Sequence, residues 1–267
     1  MEQNTPLDPA GLYAQAESIL STDPASAVEM LRQAAEQGHT EAAFRLSQLY
    51  QDGCGIEKNE SEAHRWLLYS AEGGCVDAQF NLGLELLLGQ NGGRDLAQAA
   101  HWFTLAAEQG SPVAQFNLAL MYIHKDGVEK DLEKALFWLR KAAEQDHCEA
   151  QRELGFMYLN GEGVEKDNYL ALDWLTKAAE GGSLDAQFRL SMVYLQGLAG
   201  PADPEKALHF LDMAVAQHFA PAQYVMGFLL EQGQIISQDL AESRRLLTLA
   251  ARQGYSRAQE RLDRMDR

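Results

Sequence analysis

Alanine returns every 36 residues: Ala42, Ala78, Ala114, Ala150, Ala186, Ala222 and Ala258, with no insertion or deletion over 216 residues. A fixed period of that length describes a stack of small units that bury their apolar faces on one another. Four residues after each alanine stand Leu46, Leu82, Leu118, Leu154, Leu190, Met226 and Leu262. The next position is small in every unit but the last: Ser47, Gly83, Ala119, Gly155, Ser191 and Gly227, then Asp263. Three residues on come Tyr50, Leu86, Tyr122, Tyr158, Tyr194 and Leu230. Positions i, i+4 and i+8 share one helix face, and the small residue admits a closely packed second helix. This is helix A of each unit.

A second phased pattern predicts helix B. Ala27, Ala63, Ala99, Ala135, Ala171, Ala207 and Ser243 are followed three residues later by Met30, Trp66, Trp102, Trp138, Trp174, Phe210 and Leu246. Leu31, Leu67, Phe103, Leu139, Leu175, Leu211 and Leu247 come next, so a large apolar pair fills the space between helix pairs. Asp23, Asn59, Asp95, Asp131, Asp167, Asp203 and Asp239 precede each helix B. Their side chains can accept an unpaired N–H of the first helical turn. Gly38, Gly74, Gly110, Gly182 and Gly254 follow helix B, where a left-handed residue closes a helix; Asp146 and His218 replace glycine at two such points. Between A and B lies a glycine-bearing loop, clearest at Gly53-Cys54-Gly55-Ile56 and Gly161-Glu162-Gly163-Val164. The loops at Gln90–Arg94, Leu198–Ala202 and Gln234–Gln238 keep its length but change its chemistry.

The run Ala150-Gln151-Arg152-Glu153-Leu154-Gly155-Phe156-Met157-Tyr158-Leu159-Asn160-Gly161-Glu162-Gly163-Val164, with Ala171-Leu172-Asp173-Trp174-Leu175 and Lys177-Ala178-Ala179-Glu180-Gly181-Gly182, resembles the Sel1-like repeat. That repeat is a longer relative of the tetratricopeptide repeat, whose period is shorter and whose proline near the repeat end is missing here. The resemblance covers about residues 25 to 262. It implies an all-α, right-handed α/α superhelical solenoid with helix A lining the concave surface, and binding rather than chemistry. The expected organisation is one solenoid over residues 1–267: capping helices over 1–38, six helix pairs over 39–254 and a capping helix over 255–267. The capping elements are a helix near Leu7–Ser21, a first helix B over about Pro24–Gln37, and a polar last helix over Ser256–Met265.

Composition narrows the function classes. The N-terminus has no basic region followed by an apolar one, and no apolar run is long enough to span a membrane, so neither a secretory leader nor a membrane partner is expected. Cys54, Cys75 and Cys148 form no C-x-x-C pair, and the per-repeat disulfide of some secreted Sel1-like proteins is missing; a cytoplasmic location is expected. Asn59-Glu60-Ser61 matches a glycosylation sequon but reads as a helix cap. Net charge is −17, which repels phosphates and argues against nucleic acid as a partner. Residues 1–60 hold ten acids and three bases, whereas residues 241–267 hold seven arginines and four acids. This asymmetry is read either as solubility or as steering of a basic partner to the acidic end.

By analogy with tetratricopeptide folds, positions 41, 44, 48, 51 and 52 of the first full unit line a groove. Projected along the array they give Phe80, Leu84, Leu87, Phe116, Leu120, Ile123, Phe156, Leu159, Phe188, Met192, Leu195, Tyr224 and Phe228. For each, contact with a bound segment competes with ordinary core packing. Asn81 and Asn117 precede the phased leucine, and an amide there can both donate to and accept from an extended peptide. Related tetratricopeptide proteins use such an asparagine to hold a peptide. Other units place Arg45, Glu153, Arg189 and Val225 there, so no repeated clamp runs along the groove. Arg152 interrupts the aromatic series Phe44, Phe80, Phe116, Phe188, Tyr224 and would meet either a partner's carboxylate or its own neighbours Glu149 and Glu153.

Of His39, His64, His101, His124, His147, His209 and His218, only His39 and His147 share a repeat position. No metal-ligand spacing, nucleophile elbow, phosphate loop or dinucleotide fingerprint occurs, so no metal, cofactor or catalytic residue is expected. The sequence therefore points to a protein-binding adaptor that holds a peptide segment or helix of another protein in its groove. The alternative is a regulator or immunity-type protein that caps a toxin, effector or enzyme through a large rigid face. A hydrolase reading lacks a nucleophile with an adjacent base.

Overall fold

A computed structural model describes residues 8–90 and 92–266. Among the described residues it has fifteen helices and no strand, as the period requires. Residue 91 of the altered loop, Leu7 of the expected first helix and Arg267 lie outside the described residues. The chain divides into two compact units, Met1–Trp138 and Leu139–Arg267.

In the first unit the helix-A elements are α1 (Pro9–Ile19), α3 (Thr40–Asp52), α5 (Val76–Leu88) and α7 (Pro112–His124). The helix-B elements are α2 (Pro24–Glu36), α4 (Glu60–Glu72) and α6 (Leu96–Glu108); the division between units falls inside α8 (Leu132–Ala143). From α1 to α7 each helix packs against the next in sequence. The phased alanine and leucine of helix A are buried, as at Ala42 with Leu46 and Ala78 with Leu82. The small residue beside them is there for contact: a Cβ added to Gly83 would lie 2.7 Å from the Phe103 ring. Ile56 and Val128, at the loop ends, fold back onto the core.

The second unit continues with helix-A elements α9 (Cys148–Asn160), α11 (Leu184–Gln196), α13 (Ala220–Gln232) and α15 (Ser256–Met265). Its helix-B elements are α10 (Asn168–Glu180), α12 (Pro204–Ala216) and α14 (Leu240–Arg252). Neighbours pack in the same order from α9 to α15. Gly155 meets Leu175 as Gly83 meets Phe103.

The caps follow the sequence pattern. The side chains of all seven helix-B caps accept a first-turn N–H at 2.9–3.1 Å. Asn59, the sequon residue, is one of them. The predicted left-handed residues have positive φ, including the non-glycines Asp146 (60°) and His218 (61°). The three thiols are free.

Two devices are absent from the sequence reading. The glutamine after each phased alanine from Gln79 to Gln223 is buried. In the first unit Gln79 Nε2 donates to Ala71 O at 3.2 Å and Gln115 Nε2 to Ala107 O at 3.1 Å; in the second, Gln187 Nε2 donates to Ala179 O at 2.9 Å. Each bond adds a second donor to a carbonyl at the end of helix B that already accepts the glycine N–H three residues on, at 3.0–3.1 Å. Gln109 and Gln217 extend the chain of amides by donating to Gln79 Oε1 at 2.8 Å and Gln187 Oε1 at 3.2 Å. The second device is the phased histidine: His39 and His147 cap α3 and α9, each Nδ1 accepting a backbone N–H, from Ala42 at 3.2 Å and Ala150 at 3.3 Å. Burial pushes the His147 pKa below the ordinary histidine value, against the opposing charge of Glu149.

Candidate partner-binding surface

The candidate residues fall into two sets, one in each unit. In the first, Phe80 and Leu84 of α5 are half-buried against the cluster built on Phe103, whose ring centroid lies 5.8 Å from that of Phe80. Phe116 and Leu120 of α7 are also half-buried. Asn81 is exposed and Asn117 half-buried, and both make the same local bond: Nδ2 donates to the carbonyl four residues earlier, Asp77 O and Val113 O, at 2.7 Å. A carbonyl accepts only from the amide nitrogen, so each asparagine turns its Oδ1 the other way, as an acceptor.

In the second unit Phe156 packs on the core below the Arg189 guanidinium, 5.5 Å from its ring centroid. Phe188 packs edge-on to Phe219, Tyr224 lies 5.3 Å from Tyr255, and Phe228 lies below Arg261 at 4.8 Å. Met192 is half-buried and Arg189 exposed. Arg152 is 28% exposed and faces Glu153 at 3.7 Å and Asp185 at 3.9 Å, rather than Glu149. Arg189 approaches the same Asp185 at 3.8 Å. The Arg152 Nε is buried with no hydrogen-bond partner. None of the candidate aromatic residues is among the exposed large hydrophobics, and Phe80, Phe156, Phe188, Tyr224 and Phe228 each pack on a core cluster.

The first unit has a cavity of about 590 Å³ among α3, α4 and α5. Phe44, Gln48 and Gln51 of α3 line it, with Asn81, Leu84 and Leu88 of α5 and Leu67 of α4. Positions expected to line a groove thus converge here from two successive helix-A elements. Two further wall residues, His64 and Glu85, were not foreseen. His64 Nδ1 lies 2.9 Å from Glu85 Oε1, and the Glu85 side chain is 8% exposed. The sequence carries their signature. Glu85 interrupts the apolar column Leu49, Met121, Met157, Val193, Leu229, and His64 interrupts a column that is apolar at Val28, Ala100, Leu136, Leu172 and Leu208 and ends in Arg244. The rim holds Lys58, 3.6 Å from Glu60, and Leu88 is 65% exposed. Among the described residues no group of three potential metal ligands occurs, and no helix is long and apolar enough to cross a membrane.

The Sel1 repeat model matches residues 11–39, 40–75, 76–111, 112–147, 148–183, 184–219 and 220–255, so α2 and all but the first two residues of α1 fall within a matched repeat. Among solved structures, the chain is similar to c5321, a protective antigen present in uropathogenic Escherichia coli strains and displaying an SLR fold. That match has 30% identity and a TM-score of 0.88, covering 94% of this chain and 55% of the antigen. This chain therefore spans little more than half of that relative. A Sel1 repeat protein from Oxalobacter formigenes is 29% identical at a TM-score of 0.77, covering 90% of this chain and 96% of that one. No curated protein matches the chain.

Proposed function

We propose, from the premise that the chain belongs to the Sel1 repeat family, that it is an adaptor holding a segment of another protein on its helix-A face. Sel1 repeat proteins generally mediate protein–protein interaction and are generally non-enzymatic. One observation carries the assignment to this face. Phe44, Gln48, Asn81 and Leu84, spaced as groove positions of successive repeats, surround a single cavity in the first unit. Such a wall mixes apolar area with a few fixed polar groups, the composition of a recognition site. Asn81 and Asn117 supply acceptors for the backbone N–H groups of the bound segment. In the second unit, Arg152 and Arg189 hold Asp185 only at long range, so a partner's carboxylate could displace it.

The excess of acids over residues 1–60 favours a partner whose docking segment is basic. The test is capture from host lysate by the intact chain, beside a variant carrying Phe116→Gln and Leu120→Gln. Loss of a specific captured protein, with helicity and melting intact, is the expected result. Equal capture by both chains overturns the assignment to this face.

A further inference from the structure

We infer that the cavity among α3, α4 and α5 receives one arginine side chain of the bound protein segment, with Glu85 as its counter-charge. The inference rests on the helix-A adaptor reading and names what that face selects.

The chemistry of the wall supports it. A carboxylate removed from water costs several kcal/mol unless its site compensates it. The corresponding positions of neighbouring repeats hold leucine, valine or methionine, so the fold itself has no need of a charge there. His64, at a position that is apolar in five other repeats and Arg244 in the last, meets the carboxylate at 2.9 Å and orients it. Two departures from the repeat pattern therefore occur together, in contact, at the wall of a cavity. That is where a departure from local consistency marks function.

The shape suits a long side chain with a cationic head. Leu88, exposed at the mouth, and Phe44 and Leu84 offer apolar surface to an alkyl stem. Among its acids and lysines the lining holds Lys58 against Glu60 and Glu85, one carboxylate in excess, which a guanidinium complements. The Asn81 amide nitrogen is held by Asp77 O, which leaves its oxygen as an acceptor in the lining that also holds Glu85. A carboxylate and an amide oxygen in one lining match the forked donors of a planar guanidinium better than the compact ammonium of lysine.

The test is a titration of the intact chain with N-acetyl-arginine amide, followed by NMR at the methyls of Leu84 and Leu88 and the imidazole of His64. The uncharged isostere N-acetyl-citrulline amide and the lysine analogue are run beside it. Saturable shifts with the arginine compound are expected, at least tenfold weaker with citrulline and weaker with lysine. They should weaken at least tenfold in Glu85→Gln. Glu85→Met, which installs the residue of two other repeats, keeps the chain folded and should abolish them. Equal response to arginine and citrulline, or an unaltered response in Glu85→Gln, overturns the inference. No partner enters this titration, so its failure leaves the adaptor assignment intact. Failure of capture by the helix-A face leaves the titration result intact.

Discussion

His64 Nδ1 and Glu85 Oε1 lie 2.9 Å apart at the wall of the first unit's cavity, at two positions that are apolar in most other repeats, the exception being Arg244 in the His64 column. Replacing a buried polar pair by apolar groups of similar volume is often neutral or stabilising, because desolvation opposes the attraction. The double variant His64→Leu/Glu85→Met should therefore gain about 0–4 kcal/mol in denaturant unfolding. His64→Leu alone should lose stability, since it leaves a buried carboxylate without its imidazole. A double variant clearly less stable than wild type would show that the pair serves the fold.

The glutamine ladder predicts a cost of the opposite kind. Gln115→Leu removes one of two donors to Ala107 O, which keeps the Gly110 N–H at 3.0 Å. The lost bond should cost about 0.5–1.5 kcal/mol, as should that of Gln187→Leu. Gln259, in the same column, is exposed and bonds only to Asp263, so Gln259→Leu should stay within about 0.5 kcal/mol. Chemical denaturation of the three variants distinguishes these outcomes.

Gly83 and Phe103 are coupled through space. A methyl at Gly83 would sit 2.7 Å from the ring, so Gly83→Ala should cost about 1–3 kcal/mol. Phe103→Leu installs the leucine found at this position in the other repeats, one of which, Leu139, is paired in the pattern with alanine, Ala119, at the Gly83 position. A double-mutant cycle should return a coupling of about 0.5–3 kcal/mol, with the second substitution relieving the first. Additivity would mean that the helices shift apart instead.

His147 gives the fold a pH dependence of defined sign. Its folded pKa lies below the ordinary value because the ring is buried, and its Nδ1 must stay unprotonated to accept the Ala150 N–H. Between the folded and unfolded values the unfolded chain binds more protons, so stability rises with pH. The contribution is complete above the unfolded value of about 6.5 and is lost as pH falls from there through the folded value. His147→Ser, which copies the caps at Ser111 and Ser183, should flatten the fall in melting temperature across that window. An unchanged slope would assign the dependence elsewhere.

The fold was legible because each repeat states the same facts seven times. Asp146 and His218 illustrate this: neither residue type announces a left-handed turn, but both occupy the glycine column, and both have positive φ. The last helix was read with its bounds, Ser256–Met265. The site was less legible because its contacts cross from one repeat to the next. Arg152 invites a pairing within its own helix, and Glu153 fulfils it; the second partner, Asp185, belongs to the following repeat. Phe80, Phe188 and Tyr224 were read as groove or core, and packing gives each a face on its own cluster. His64 and Glu85 look unremarkable in a chain with 39 acids until each is compared with its column. Their contact then depends on how α4 sits against α5, which no single column records.

The most direct test of the central claim places a photoreactive amino acid at single positions of the first unit. Asn81 and Asn117 report on the helix-A face, and the exposed Arg65 and His101 on helix B. Irradiation in host lysate, followed by mass spectrometry, should give adducts to one and the same protein from positions 81 and 117 and none from 65 or 101. Adducts from the helix-B positions alone would contradict the account.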